Sequence, residues 1–235
     1  MISVCPITLA KNEEIWIARV LSPLVEIFGC AIVADTGSTD DTVSEIEKVP
    51  GVHLMRPGSL APQEVGQCRG WMQAEAKKLY GVSHVFLIDA DELYPRKYLR
   101  YIRDNPMPDD AMSGYTSGVE CTELPNGECW KLGRSDGGLV GVNRQAIFSV
   151  DSVWRGVYPF ESPDTYVAGH PTNHYWPVPD PSYQFYHLHQ MRRSRHDEDV
   201  YMRMQKKYQF SLQEHPEIVP TEFWLKSERS YADEE

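Results

Sequence analysis

The sequence predicts an α/β protein whose central sheet is parallel in its first half. In residues 1–105, apolar strand-like runs alternate with segments of helical periodicity. This alternation predicts parallel strands joined by right-handed crossovers. Two of the apolar runs end in aspartate, at Asp35 and Asp89. After residue 105 the alternation gives way to short strand-like pieces separated by turns, which predicts a mixed sheet.

The elements of the first half follow from local signals. Ile17, Leu21 and Leu24 recur at helical spacing, and Gly29 fits the end of that helix. Ser38 or Thr39 can cap the short helix that follows. Strands are expected at residues 2–9, 30–35, 52–55 and 84–88, and helices at 17–28, 43–49, 64–80 and 95–105.

The second half has weaker signals. Asn126-Gly127 is typical of a hairpin turn. Strands are expected at 146–150 and 183–187, an ordered loop at 159–181 and a helix at 201–210. We expect one domain over residues 1–226, with halves meeting near residue 105, and a polar tail at 227–235.

Composition limits the class of protein. The 235 residues are 41 % hydrophobic and 11 % aromatic, enough for a real core. The net charge of −11 disfavours a general polyanion binder. Apolar runs long enough for a membrane span and a basic leader are both absent, so we expect a cytoplasmic protein without stable membrane insertion. Five scattered cysteines without a C-x-x-C pair indicate neither a disulfide framework nor a thiolate zinc site.

The acidic end of the fourth strand carries the strongest chemical signal. Asp89-Ala90-Asp91 directly follows the apolar run 84–88. The carboxyl ends of parallel strands meet in one crevice, where ligands bind. Two carboxylates one residue apart supply oxygen ligands for a hard cation such as Mn²⁺ or Mg²⁺. The alternative is a pair of solvated acids at a strand end.

Three segments resemble the nucleotide-sugar half of the family 2 glycosyltransferases, which have the GT-A fold. They are ISVCPITLAKNEE (2–14), VADTGSTDDT (33–42) and FLIDADE (86–92). Residues 144–148, 154–156 and 187–189 resemble the later part of small bacterial transferases of this family. The chain departs from many relatives in having Phe160-Glu161 where they carry His-Glu.

The resemblance implies a GT-A fold with a mixed sheet flanked by helices, and a nucleotide diphosphate sugar, first of all a UDP-sugar, as donor. The diphosphate would be held with Mn²⁺ or Mg²⁺. Asp91 is expected to ligate the metal, and Asp89 to face the ribose or a metal-bound water. Asp35 is expected to accept a hydrogen bond from the base or ribose, or else to act as a helix cap. The remaining donor-binding candidates are Thr8, Leu9, Lys11, Glu13, Arg69 and Ala90.

Several of these candidates have an equally good structural explanation. Glu13 either orients its loop or favours the next helix N-terminus. Arg69 either reaches the diphosphate or is an exposed surface arginine. His187 and His189 share one strand face, and the resemblance favours one of them, His187 first, as a metal ligand. Packed or solvent-facing histidines are the alternative.

An inverting transferase needs a general base to deprotonate the acceptor hydroxyl. Glu161 is the first candidate by position, with Asp164 and Asp136 as rivals. A solvated loop carboxylate is the competing interpretation of each.

The predicted function is therefore a metal-dependent glycosyltransferase, expected to invert configuration. A nucleotidyltransferase is disfavoured, because such enzymes carry a Gly-rich basic loop where this chain has residues 10–14, AKNEE. A non-catalytic protein that binds sugar nucleotides or carbohydrate stays open, since six tryptophans suit sugar stacking in either case. Lipid-linked sugar, polysaccharide, protein and nucleic acid all stay open as acceptors.

Overall fold

The computed structural model describes residues 4–105, 113–123, 129–131, 141–155, 162–163, 184–190 and 219–220. The helices are α1 (Ile17–Phe28), α2 (Thr42–Glu47), α3 (Val65–Tyr80) and α4 (Arg96–Asp104). The strands of the first half are β1 (Val4–Ala10), β2 (Ala31–Asp35), β3 (Val52–Met55), β4 (His84–Leu87) and β5 (Glu92–Leu93). Those of the second half are β6 (Ser113–Glu123), β7 (Cys129–Lys131), β8 (Gly141–Ser149), β9 (Trp154–Arg155), β10 (Ser162–Pro163), β11 (Phe185–Gln190) and β12 (Val219–Pro220).

Most of the strands form one mixed sheet in the order β12-β7-β6-β8-β4-β1-β2-β3. The strands β3, β2, β1 and β4 are parallel, as the alternation in the sequence predicts. At β8 the direction reverses, because β8 runs antiparallel to both β4 and β6. β11 lies parallel to β6 and antiparallel to β5, while β9 and β10 form a separate pair. The predicted α/β fold with a mixed sheet flanked by helices is confirmed.

Helices cover both faces of the parallel strands. On one face, Val4 and Ala10 of β1 belong to a core cluster with Ile17 and Leu21 of α1. On the other face, Ile7 lies in a cluster with residues of α3. Successive side chains of a strand point to opposite faces, so every second residue of β1 serves a different helix layer. The strands are thus buried on both sides, and their carboxyl ends open onto one edge.

Helix ends follow the predictions at α1 but not at α2. Gly29 adopts φ 77° and its N–H donates to the Val25 carbonyl, which ends α1 as predicted. The prediction that Ser38 or Thr39 caps α2 is wrong. The N–H of Thr42, the first residue of α2, donates instead to Asp40 Oδ1 at 3.0 Å.

The cysteines Cys5, Cys30 and Cys68 are buried free thiols. Cys5 and Cys30 pack as small buried hydrophobic residues, and their sulfur atoms lie 3.8 Å apart. Burial raises the pKa of the Cys68 thiol to about 11. These thiols therefore serve packing between the sheet and α3.

Several expectations fall outside the described residues. They are the Asn126-Gly127 turn, the 201–210 helix, the tail 227–235 and, apart from Ser162–Pro163, the 159–181 loop. The strands on either side of that turn, β6 and β7, pair antiparallel, as a hairpin requires. Within the part of the chain that is described, every helix is too short or too polar to cross a membrane.

Gly118 of β6 provides a test of the packing between β6 and β11. A Cβ at this position would lie 2.6 Å from the ring of Phe185, which is fully buried and stacked on Tyr94 at 4.7 Å. We expect Gly118→Ala to lower the free energy of unfolding by about 1–3 kcal/mol, since the ring has nowhere to move. Gly70→Ala is the control, because a Cβ there meets nothing within 4 Å. The free energy of unfolding of Gly70→Ala should rise by up to about 1 kcal/mol, because alanine has a higher helix propensity than glycine. Urea denaturation of both variants measures the difference, and equal stabilities would contradict the packing.

Candidate functional site

A cavity of about 470 Å³ opens at the carboxyl ends of β1 and β4. It is the crevice in which the carboxyl ends of parallel strands meet. Most of the residues predicted from the sequence line it: Leu9, Lys11, Glu13, Arg69, Asp89, Ala90, Asp91 and His187. Other lining residues were not predicted, namely Ala10, Thr36, Leu60, Pro62 and Val65. Thr36 was findable, because it directly follows Asp35 at a neighbouring strand end.

Asp91 and His187 face each other in this cavity. Asp91 Oδ2 lies 3.5 Å from His187 Nε2. The two residues meet because β5 pairs antiparallel with β11, which sets His187 opposite Glu92. The backbone N–H of Leu188 also donates to the carbonyl of Asp91 at 2.7 Å. Asp91 is 6 % exposed, so this carboxylate is held in place rather than solvated.

The pair suits a divalent cation. A carboxylate oxygen and an imidazole nitrogen are both ligands that Mn²⁺ accepts. Among the described residues, no group of three or more His, Cys, Asp and Glu side chains is placed to hold a metal. Two protein ligands fit the way Mg²⁺ is usually bound, since that ion keeps several waters and takes substrate phosphates as further ligands. The side chain of His189 lies outside the described part of β11.

The turn that carries Asp89 is braced by Glu92. The N–H of Asp89 donates to Glu92 Oε2 at 3.1 Å, and the N–H of Glu92 donates to the carbonyl of Asp89 at 3.0 Å. Glu92 is 1 % exposed and Asp89 is half-buried. This reciprocal pair fixes the direction in which Asp89 and Asp91 leave the strand. Nothing in the sequence alone indicates this role of Glu92.

Asp35 lies just outside the cavity lining. Its carboxylate accepts the N–H groups of Gly37 and Ser38, each at 3.3 Å. It therefore shapes its own loop, where Gly37 has φ 88°. It does not cap α2, so that alternative is wrong. Thr8 is likewise outside the lining, 1 % exposed within β1.

Two loops that border the cavity are locked together through Asn12. Asn12 adopts φ 56°, a left-handed conformation that asparagine tolerates. Its N–H donates to Ser38 Oγ at 2.9 Å, and its Oδ1 accepts the N–H of Thr39 at 2.8 Å. The N–H of Glu13 donates to Thr42 Oγ1 at 2.6 Å. The walls formed by residues 11–14 and 36–42 are thus preorganised, and no local sequence pattern predicts this role of Asn12.

Arg69 is a fixed cation in the cavity wall. It is 8 % exposed, so the alternative of an exposed surface arginine is wrong. Its guanidinium carbon lies 5.0 Å from the centre of the Trp154 ring, a cation–π arrangement. Trp154 is held in turn by Gln73, whose Oε1 accepts the indole N–H at 2.8 Å. Together with Lys11, Arg69 offers positive charge to an anion in the same cavity as the acidic residues.

Comparison with known proteins finds similarity among solved structures. No protein-family model matches the chain, and no curated protein does either. S. aureus TarS residues 1–349, also solved with UDP, is 19 % identical over 56 % of this chain and 38 % of that chain, with a TM-score of 0.38. Glucosyl-3-phosphoglycerate synthase from Mycobacterium tuberculosis, solved with Mn²⁺, UDP-glucose and phosphoglyceric acid, is 18 % identical over 53 % of this chain and 45 % of that chain, with a TM-score of 0.36.

A third solved structure, of a mycobacterial protein, is 17 % identical over 50 % of this chain and 41 % of that chain, with a TM-score of 0.40. The chain spans less than half the length of each of the three. Likeness of this degree does not decide an activity. The function is therefore inferred from the residues that line the cavity.

Proposed function

We propose that this protein is a metal-dependent glycosyltransferase that uses a nucleotide diphosphate sugar, with a UDP-sugar as the first candidate. The observation that carries the proposal is the 3.5 Å approach of Asp91 and His187 in a cavity that Arg69 and Lys11 also line. This arrangement offers ligands for a cation and positive charge for a diphosphate at one place. A nucleotide diphosphate sugar with its metal needs both.

Different residues of the cavity would bind the metal ion and the phosphates of the donor. Asp91 and His187 would hold Mn²⁺ or Mg²⁺, with Asp89 beside them toward the ribose or a metal-bound water. When bound, the ion supplies charge neutralisation on the diphosphate leaving group. Arg69, held against Trp154 and lining the same cavity, would donate hydrogen bonds to phosphate oxygens. Because Trp154 already holds its guanidinium, Arg69 loses little entropy when it binds.

The nucleoside would lie at the ends of β1 and β2. Leu9 and Ala10 line the cavity where β1 ends, and Thr36 lies beside them because its N–H donates to the Ala10 carbonyl at 2.9 Å. Backbone groups at this edge can hydrogen-bond a base. The loops locked by Asn12 keep this edge in one conformation before the ligand arrives, which lowers the entropic cost of binding.

Sugar transfer with inversion needs a general base that takes the proton of the acceptor hydroxyl. We keep Glu161 as that base, with Asp164 and Asp136 as rivals. All three lie outside the described residues, so the assignment rests on sequence position. Glu161 immediately precedes Ser162, whose strand β10 pairs with β9, and Trp154 of β9 contacts Arg69 of the cavity.

A thermal-shift screen tests the proposal. UDP, GDP, CDP and ADP and their sugars are each added with Mn²⁺, with Mg²⁺ and with EDTA. A ligand that binds only the folded state raises the melting temperature, by an amount corresponding to about 2.7 kcal/mol at a hundredfold excess over Kd. We expect a shift for a diphosphate nucleotide that needs the metal. Turnover of the stabilising sugar nucleotide then separates an enzyme from a non-catalytic binding protein.

Asp35 provides a further prediction. Asp35→Ala should weaken binding of the nucleotide by about 1–3 kcal/mol, since the carboxylate either accepts a hydrogen bond from the nucleoside or holds the loop beside it. Titration calorimetry with UDP and metal measures the loss. Asp41→Ala, at the exposed N-cap of α2, is the matched control and should bind normally. Wild-type affinity in Asp35→Ala would show that this carboxylate takes no part in nucleotide binding.

A further inference from the structure

A second concave surface lies beside α3, outside the donor cavity. It is a groove of about 680 Å³ between α3 and the turn that joins β8 to β9. That volume is in the range of ligand-binding sites, about 300–1,000 Å³. The proposed donor cavity contains none of the groove's lining residues. The groove is therefore a second candidate binding site, separate from the donor cavity.

The floor of the groove is open because α3 has small residues there. Gly66, Gly70 and Ala74 line it at a spacing of four residues, and a Cβ at Gly70 would meet nothing within 4 Å. Two exposed apolar side chains line it as well, Trp71 at 47 % exposure and Val153 at 53 %. An indole that is half-exposed beside a groove offers a flat apolar face to a ligand.

The wall opposite α3 is rigid. The Trp154 ring packs edge-on against Phe148, with ring centres 5.2 Å apart. Gln73 fixes the indole by accepting its N–H, and its own Nε2 donates to the Ser149 carbonyl at 3.2 Å. The groove is thus formed before a ligand binds, and its shape does not depend on an ordering step.

The polar groups of the groove are neutral as a set. Gln63 and Gln67 contribute exposed amides, and Lys77 is paired with Asp151 at 2.7 Å. Ser152 also lines the groove. It is 7 % exposed, and its Oγ has no hydrogen-bond partner among the residues that the structure describes. That oxygen has almost no accessible surface, so the exposed amides, rather than this hydroxyl, are the polar groups that a ligand in the groove can reach.

We propose that this groove binds a neutral oligosaccharide, and that this glycan is the acceptor. A sugar ring has an apolar C–H face that stacks on an indole, and it has hydroxyls that pair with amides. The groove offers these groups and no net charge, which disfavours a phosphorylated or nucleic-acid ligand. Naming the glycan as acceptor rests on the proposed glycosyltransferase function, whereas its binding does not.

The groove and the donor cavity meet at one contact. Arg69 lines the donor cavity, Trp154 lines the groove, and the two stack at 5.0 Å. A glycan in the groove would therefore lie on the other side of the Arg69–Trp154 contact from the residues proposed to hold the donor diphosphate. This adjacency is what an acceptor site requires.

Titration of the full chain with cellohexaose, maltohexaose and chitohexaose, followed by saturation-transfer NMR and tryptophan fluorescence, tests the proposal. We expect at least one of these hexasaccharides to bind, and Trp71→Ala to weaken it about tenfold, the effect of losing one buried apolar side chain. Leu79→Ala is the matched control, because Leu79 is 44 % exposed on the same helix but outside the groove. Gly70→Leu should fill the groove and also weaken binding without lowering the melting temperature.

The outcomes separate the two proposals. If none of the three hexasaccharides binds, if Trp71→Ala binds as tightly as wild type, or if unstructured peptides bind in their place, the groove is not a glycan site. UDP binding with Mn²⁺ is measured on the same samples. Loss of hexasaccharide binding in Trp71→Ala with UDP binding unchanged supports the groove. Hexasaccharide binding in a wild-type protein that binds no nucleotide would count against the proposed glycosyltransferase and leave the groove standing.

Discussion

Replacing Asp91 with alanine should remove most of the dependence of UDP binding on Mn²⁺ or Mg²⁺ and should slow sugar transfer by about 10²–10³-fold, the usual cost of losing one preorganised electrostatic group. Asp91 is buried and 3.5 Å from His187. Without its carboxylate, the imidazole alone cannot compete with water for the cation. Titration calorimetry with UDP in manganese and in EDTA measures the binding, and a transfer assay measures kcat.

Two further variants make the Asp91 result specific. His187→Ala should resemble Asp91→Ala, because the two side chains form one site. Asp104→Ala removes an exposed carboxylate, paired with Arg103 at the end of α4, and should leave both measurements unchanged. Melting temperatures of all three variants separate loss of metal from loss of fold. Equal UDP affinity of the wild-type protein in EDTA and in manganese would rule out the metal site itself.

Glu161→Gln should keep the affinity for the donor and lose most of the transfer, with kcat falling by about 10²–10⁴-fold, the range of general acid–base catalysis. The expectation follows from the position of Glu161 after Trp154-Arg155-Gly156. Trp154 lies against Arg69 and so places the start of this segment next to the cavity. The change from carboxylate to amide preserves size and removes the ability to take a proton.

The same assay on Asp164→Asn and Asp136→Asn decides between the candidate bases. A Glu161→Gln enzyme with near wild-type turnover, next to an inactive Asp164→Asn or Asp136→Asn, would move the base to that residue. Activity in all three variants would mean that another group is the base or that configuration is retained. The stereochemistry of the product by NMR distinguishes those two cases.

Local patterns in the sequence were sufficient for most elements of the first half. The predicted helix at 17–28 and strand at 52–55 agree with α1 and β3 residue for residue. Their signals are local, since apolar spacing defines the buried face and Gly29 ends the helix at the position where a left-handed residue is needed. The predicted cap of α2 failed for the opposite reason. The Ser38 hydroxyl accepts the N–H of Asn12, and the N–H of Thr39 donates to Asn12 Oδ1. Both residues therefore bond to another loop rather than to α2.

The second half was harder to predict because its strands pair with distant partners. β6 lies between β8 and β7, and β11 contacts both β6 and β5. A strand of this kind shows its length in the sequence, but its neighbours depend on how the whole chain closes. The short strands β5 and β9 had no signal of their own, although they position Asp91 and Trp154.

The sequence by itself determined that acidic residues end two strands and that the ends of those strands border one crevice, because side-chain periodicity and chain alternation are local properties. Only the tertiary structure decided which groups meet there. The pairing of β5 with β11 brings His187 to Asp91, and the packing of β9 on α3 places Trp154 between Arg69 and Gln73. Such contacts join segments far apart in the chain, and their register is set by hydrogen bonding and packing across the folded sheet rather than by any neighbouring residues.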